Sequence, residues 1–472
     1  MQGSNSGGKL ETRQYLDKMF YPKSIAMIEA SSKREWQVKG ILNRNYSGDI
    51  YFVSKIEKEI FGIECYHDIS ELPDGIDHAI IAVNRKKLKE IIKTCIEKKF
   101  YTLHIFSAGA AEFDEEGVKL EREIQELIKN KIRAIGPNCM GVYCPEGRIS
   151  YAPGFSEKSG RVAFVSQSGD ITTQYVLNEN HYGVNFSKVA SIGNSIDLKI
   201  IDFIDYFNSD EKTEIISIYF EGFSRYEQEE GKKLRNVLMK NKKPLLLLRG
   251  GKTDQGKRAA ASHTGAVATD DRIWRTLYKQ TNALEVTSYE ELLDSTIAFN
   301  YCKNLYPKVK SVVLIVWSGG KAVLTTDQLI QIGIDVPEIK EPTRSKMKEM
   351  ISIGSVKNPL DLPWIGREGK YPEICKLSIE EEYIGGVILE TGAWEKLDER
   401  FNTYFENLLK IFHYTKQQGK PFLLSLPHSH LYQQREEYKN KLVENGIPVF
   451  PTVSRAAKAF LNLFEFQRKF LF

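Results

Sequence analysis

The chain has 472 residues, 42% hydrophobic and 27% charged, with 66 basic and 62 acidic side chains and a formal charge of +4. At about 150 residues per domain the length predicts about three globular domains, and so balanced a charge argues against a nucleic-acid-binding surface. No run approaches the roughly 18 apolar residues of a membrane span, and the six cysteines show no CxxC pair or metal-ligand spacing, which fits free thiols in a reducing, cytoplasmic setting.

Residues 1–15 read as a flexible tail, polar and Gly/Ser-rich at its start rather than built as a signal peptide. Residues 16–150 read as a first α/β unit. Short apolar runs at 24–28, 50–53, 78–83, 103–106 and 133–135 alternate there with amphipathic stretches at 86–99 and 115–130. Strands alternating with helices of that length imply right-handed βαβ connections and a doubly wound parallel sheet. Residues 158–304 repeat the pattern, with strands predicted at 161–165, 186–190, 214–220, 244–248 and 283–286 and a closing helix at 289–302. After a linker at 305–310, residues 308–472 form a third unit, with strands at 311–316, 386–389, 421–425 and 447–450.

In open parallel sheets ligands bind beyond the carboxyl ends of the strands, so the residues following each strand are the informative ones. In the second unit these are Ser166-Gln167-Ser168-Gly169-Asp170, Ser191-Ile192-Gly193-Asn194-Ser195, Glu221-Gly222 and Arg249-Gly250-Gly251-Lys252. The first opens a helix at 171–179, whose unpaired N–H groups and dipole attract phosphate; an ordinary N-cap is the alternative. A carboxylate such as Glu221 at a strand end can orient an imidazole, or it is simply a surface acid. All four loops are expected at one sheet edge. Just downstream, Ala259-Ala260-Ala261-Ser262-His263-Thr264-Gly265-Ala266 reads as a small-residue loop that presents one histidine, to a phosphoryl group or to an ordinary hydrogen bond.

In the first unit the equivalent loops are Glu29-Ala30-Ser31-Ser32-Lys33-Arg34, Val83-Asn84-Arg85, Ser107-Ala108-Gly109-Ala110 and Gly136-Pro137-Asn138-Cys139-Met140-Gly141. They suggest a dinucleotide or coenzyme A site that lacks the first glycine of a G-x-G-x-x-G turn. In the third unit Trp317-Ser318-Gly319-Gly320-Lys321 reads as an anion or hinge site. His428 and His430 lack the companions a metal site needs, so no metal site is expected.

These stretches together resemble the α subunit, or α-like half, of ADP-forming acyl-CoA synthetases, the acetate–CoA ligase relatives of succinyl-CoA synthetase. The matching elements are Ile135-Gly136-Pro137-Asn138-Cys139-Met140-Gly141, Phe164-Val165-Ser166-Gln167-Ser168-Gly169, Ser191-Ile192-Gly193-Asn194, Tyr219-Phe220-Glu221-Gly222, Ser262-His263-Thr264-Gly265 and Asn358-Pro359-Leu360-Asp361-Leu362. The resemblance, over about residues 20–460, implies a Rossmann-like CoA-binding domain followed by two flavodoxin-like domains. It implies interconversion of acyl-CoA, ADP and phosphate with acid, CoA and ATP through an acyl phosphate and a phosphohistidine at His263, with Glu221 as its orienting carboxylate. Phosphate is then expected at Ser166, Gln167, Ser168, Gly169, Gly193, Asn194, Ser262, Thr264 and Gly265. CoA is expected at Ala30, Ser31, Ser32, Lys33, Val53, Ser54, Lys55, Val83, Asn84, Ser107, Ala108, Gly109, Asn138, Cys139 and Met140. No segment reads as an ATP-grasp domain, so ADP or ATP with Mg2+ is expected on a separate β subunit in an α2β2 heterotetramer.

Three positions depart from the pattern, all at the expected CoA site. Glu29 stands where Gly is usual, Ser54-Lys55-Ile56 where Asn-Pro-Lys is usual, and Asn84 where Pro is usual. Two other readings therefore stay open: a non-catalytic CoA- or nucleotide-sensing subunit, and an acyl or carbamoyl transferase on the same scaffold.

Overall fold

In the computed structural model, the apolar runs become strands buried on both faces, the environment in which a parallel strand reads as continuously hydrophobic. The structure describes residues 11–224, 229–264, 271–363 and 370–470, with backbone alone for 260–264 and 470. It divides into two compact units, residues 1–180 with 185–285, and residues 181–184 with 286–472.

The first unit begins with α1 (Thr12–Phe20), β1 (Ser24–Ile28), α2 (Glu35–Leu42), β2 (Asp49–Val53), β3 (Glu59–Ile60), β4 (Ile63–Tyr66), β5 (His78–Ile81), α3 (Leu88–Glu97), β6 (Thr102–Ile105), α4 (Glu115–Ile128) and β7 (Arg133–Ile135). The sheet order is β3-β4-β2-β1-β5-β6-β7, parallel except where β3 runs against β4. From β4 inward this is the Rossmann order, and the winding reverses between β1 and β5. Helix α4 starts where Asp114 accepts a hydrogen bond from Gly117 N at 2.6 Å, an N-cap that fixes the turn after β6.

The chain then builds a second sheet in the same unit from β8 (Gly141–Tyr143), β9 (Val162–Ser166), α5 (Gly169–His181), β10 (Phe186–Ser191), α6 (Ile200–Ser209), β11 (Ile215–Phe220), α7 (Glu230–Lys240), β12 (Leu245–Arg249), α8 (Asp254–Thr264), α9 (Asp271–Gln280) and β13 (Ala283–Val286). Its order is β13-β12-β11-β9-β10-β8, with β8 antiparallel to β10. The five strands from β9 onward follow the flavodoxin-like order, whose switch point lies between β9 and β11.

The second unit carries α10 (Tyr289–Tyr301), β14 (Val312–Val316), α11 (Gly319–Ile332), α12 (Thr343–Lys348), β15 (Leu360–Asp361), α13 (Tyr371–Glu380), β16 (Gly386–Glu390), α14 (Glu399–Gln417), β17 (Phe422–Ser425), α15 (Tyr432–Glu444), β18 (Val449–Phe450) and α16 (Val453–Phe470). Its all-parallel sheet, β15-β14-β16-β17-β18, has the same flavodoxin-like order. The predicted class, one Rossmann-like sheet and two flavodoxin-like sheets, is the observed one. The helix expected to close the second series is α10, which packs instead along α16. Arg455 holds the buried Asp294 at 2.6 and 2.9 Å, and Asn462 bonds Ser295 at 2.8 Å.

One expectation fails. The run read as a small-residue loop from Ala259 is the second half of α8, which continues to Thr264. Alanine is slim, but it is also the best helix former, and three in succession extend the helix that Asp254 begins. Among the described residues no helix is long and apolar enough to cross a membrane.

Candidate functional site

The carboxyl ends of β9, β10, β11 and β12 lie side by side because these strands are parallel and adjacent. Gln167 joins the first to the third across the switch point. Its Oε1 accepts from Glu221 N at 2.7 Å and Gly222 N at 3.2 Å, while its Nε2 donates to Gly222 O at 3.1 Å and Ser195 Oγ at 3.4 Å. Gln167 is 6% exposed and Glu221 8%, so one amide side chain fixes the backbone that carries the carboxylate. Tyr219 donates its phenol to Glu221; burial first, then the Glu221 charge, raises the phenol pKa and keeps it a donor. The loop after β12 joins this group, since a side-chain carbon on Gly250 would lie 3.1 Å from Tyr219 OH and 3.6 Å from Glu221 Cγ.

The cradle before α5 is knitted locally. Ser166 Oγ accepts from Ser168 N at 3.0 Å and donates to Ser168 O at 2.9 Å, and Ser168 Oγ accepts from Ile171 N at 3.4 Å. Gly169 leaves room for Met140, whose Cγ would lie 2.5 Å from an added Cβ. Gly193 has φ of +54°, and an added Cβ would sit 2.3 Å from Pro137 O and 2.4 Å from Asn138 O. Only glycine satisfies both demands.

Asn194 is placed differently from the phosphate donor that was expected. Its backbone N–H goes to Pro137 O at 3.0 Å. Its side-chain amide donates to Glu112 Oε2 and Glu121 Oε2, each at 2.7 Å. The donors that would meet a phosphate are thus committed to two carboxylates. Ser262, His263 and Thr264 form the last turn of α8, but their side chains, and all of Gly265, lie outside the described residues.

The expected CoA edge lies at the reversal between β1 and β5. Ala30 N bonds Val53 O at 2.9 Å, which fixes the turn between Glu29 and Ser31. Ser31 caps a short helical turn over Ser32–Arg34. Ser32 N donates to both oxygens of Glu57, at 3.1 and 3.2 Å, and the Ser32 and Ser31 hydroxyls add bonds that hold the Glu57 carboxyl below its ordinary pKa. Ser54 is buried and its Oγ accepts from Glu57 N at 3.2 Å. Lys33, Lys55 and Ala108 are exposed. Val83 N donates to Ser107 Oγ at 2.9 Å, and Asn84 accepts from Lys86 N at 3.1 Å. Gly109 N donates to Glu112 Oε1 at 2.7 Å. Asn138 N bonds Ser107 O at 3.0 Å, and Met140 N bonds Ser191 Oγ at 3.1 Å. Cys139 is buried in the apolar core, with its thiol pKa raised by burial. The segment around 136–140 is therefore where the two sheet edges of this unit meet.

Sequence reasoning missed Glu57, Glu112 and Glu121, which act on partners in other loops and stand in no motif. It quoted Tyr219 within Tyr219-Phe220-Glu221-Gly222 but gave it no role. In the second unit Ser318 caps α11, Lys321 pairs with Glu390 at 3.3 Å, and Asp361 borders Gly319, its carboxyl pKa raised by burial. Asn358 is structural: it accepts from Leu314 N at 3.0 Å and donates to Val312 O and Pro337 O.

A family model described as a CoA binding domain matches residues 23–145, and one described as a succinyl-CoA ligase like flavodoxin domain matches residues 159–299. The chain is 30% identical to the Acetate–CoA ligase [ADP-forming] II subunit alpha of Pyrococcus furiosus, over 94% of this chain and 96% of that protein. It is 30% identical to Acetate–CoA ligase [ADP-forming] II of Archaeoglobus fulgidus, covering 96% of this chain and 67% of that longer protein. Among solved structures, the dinucleotide-forming acetyl-coenzyme A synthetase 1 of Ca. Korarchaeum cryptofilum, in complex with phosphate and ADP, superposes with a TM-score of 0.81 at 25% identity. That match covers 96% of this chain and 97% of the other.

Proposed function

The chain belongs to the ADP-forming acetate–CoA ligase family, and on that premise we propose that it is the α subunit of an ADP-forming acyl-CoA synthetase. The observation that carries the reading is Gln167, which ties the Ser166–Gly169 cradle to Glu221 at the switch point of the second sheet. Phosphate attacks the thioester carbonyl and CoA leaves as its thiol, giving an acyl phosphate. An imidazole nitrogen of His263 then attacks phosphorus and the carboxylic acid departs. The phosphoryl group passes from His263 to ADP. A neutral imidazole is nucleophilic near pH 7, and Glu221 serves to fix its tautomer and to balance the charge that forms. Most of the remaining catalysis is positioning and charge stabilisation.

Among the described residues no group of three or more His, Cys, Asp or Glu side chains could hold a metal ion. No step here is routed through a metal ion. We assign the nucleotide and its Mg2+ to an ATP-grasp β subunit, in an α2β2 assembly. Exposure of the full chain to labelled phosphate and acyl-CoA should place acid-labile label on His263. Glu221→Gln should slow labelling by about 10²-fold or more. An absence of label, or label that persists in His263→Asn, overturns the reading.

A further inference from the structure

Asn194 and Glu112 join two loops that the proposed function gives to different ligands. The turn after β6 carries Gly109 and Ala110, whose N–H groups both reach Glu112 Oε1, at 2.7 and 3.1 Å. The other oxygen of the same carboxylate accepts from Asn194 Nδ2 at 2.7 Å in the turn after β10. Arg85 grips the first turn from its other side, donating to Gly109 O at 3.1 Å while paired with Asp114 at 2.9 Å. The second turn has little freedom of its own, because Gly193 is pressed against the Pro137 and Asn138 carbonyls. Glu121, 3% exposed, takes the second hydrogen of the same amide at 2.7 Å. Asn194 itself is 8% exposed, and its Oδ1 finds no hydrogen-bond partner among the described residues. An amide that leaves its acceptor unpaired in order to present both hydrogens to carboxylates is held by charge-assisted bonds, not by the satisfaction of all its polar atoms.

We propose that Glu112 is a positioning residue that fixes the CoA-side turn through Oε1 and the phosphate-side turn through Oε2, so that one carboxylate sets both. This rests on the function proposed above. The two ends are chemically unequal, which makes the idea testable. In Glu112→Gln the carbonyl oxygen still accepts from Gly109 and Ala110, but the new NH2 faces the NH2 of Asn194. If Asn194 turns its amide over to meet it, Oδ1 is brought against Glu121 and that anchor is lost instead. The phosphate turn therefore loses at least one of its two charge-assisted bonds whichever way it responds, and the CoA turn keeps its own.

The test is calorimetric titration of the full-length chain with CoA and, separately, with inorganic phosphate, in wild type, Glu112→Gln and Glu112→Ala. Glu112→Gln should weaken phosphate by about tenfold or more, the scale of one buried bond to a charged group, and leave CoA within about twofold. Glu112→Ala should weaken both. If wild type binds both ligands and Glu112→Gln leaves both unchanged, the positioning role is overturned while the function stands. If Glu112→Gln weakens both equally together with a fall in melting temperature, Glu112 is merely structural and the proposal fails. If wild type binds neither ligand, the functional reading falls first and takes the proposal with it.

Discussion

Truncating Gln167 to alanine should loosen Glu221 without touching it. The side chain closes three bonds to backbone groups of Glu221 and Gly222, at 2.7, 3.2 and 3.1 Å, in a setting where neither Gln167 nor Glu221 exceeds 8% exposure. A buried backbone group left unpaired costs about 1–3 kcal/mol. A water entering the vacated space, which offers more than two polar partners, recovers part of that cost. The net loss should be about 2–4 kcal/mol, read as a lowered urea midpoint. Function should suffer beyond stability, since a displacement of about 1 Å in a positioned group costs about 10²-fold in rate. Gln167→Glu separates the terms. It keeps both acceptor bonds but can hold Gly222 O only while protonated, so the fold raises its pKa above the roughly 4.3 of an unfolded glutamate. That variant's stability is present below the unfolded pKa and is lost as pH rises through the folded one. A Gln167→Ala protein with an unchanged midpoint and an unchanged rate of acid-labile labelling would refute the argument.

Two further outcomes follow from the same unit. His78 and His104 are fully buried and neutral, with pKa values lowered to about 3 and about 4, by burial first and for His78 also by the charge His104 would carry. The unfolded chain then binds more protons below pH 6.5, so stability is full above that pH and falls as pH drops toward 4. The loss at pH 5 is about 2 kcal/mol for each ring, and urea midpoints between pH 8 and 5 should show that slope roughly halved in His104→Gln. Gly193→Ala should lose about 2–4 kcal/mol in thermal or urea unfolding, because its neighbours are backbone carbonyls that cannot yield and its φ is positive; phosphate affinity by calorimetry should fall with it.

Strand positions were legible because a parallel strand covered on both faces has no polar alternation to confuse it. Val162–Ser166, Ile215–Phe220 and Leu245–Arg249 all stand out as apolar runs. The convergence of the loops after β9, β10 and β11 was legible too, since parallel neighbours send their carboxyl ends to one edge. Helix α8 was misread because small residues serve a tight loop and a helix equally well, and nothing local decides between them. The carboxylate ties could not be read at all. Glu57 meets Ser32 across 25 residues, Glu29 meets Lys87 across 58 and Glu112 meets Asn194 across 82. Such pairs depend on sheet order, which no spacing rule supplies.

That sheet order also explains the departures at the CoA edge. A glycine is usual at position 29 in the pattern the chain resembles, and Glu29 has φ of +55°, a conformation that costs a side-chain-bearing residue about 1–2 kcal/mol. Its carboxylate meets Lys87 Nζ at 2.6 Å on the far side of the β1/β5 reversal, so the charge is paired within the edge and not left facing an incoming anion. At position 84 a proline would lock φ near −65°. Asn84 has φ of −61° and adds a side-chain cap for Arg85–Lys87 that proline cannot make. At both positions the backbone path is kept while the chemistry that holds it changes. The two sheet edges are consequently held by different means. Neutral Gln167 spans the switch point beside the phosphate cradle, whereas the edge given to CoA has Ser32 N on Glu57, Gly109 N on Glu112 and Lys87 on Glu29. An anionic ligand arriving at that edge, as the proposed function requires, would compete with carboxylates already bound to its donors.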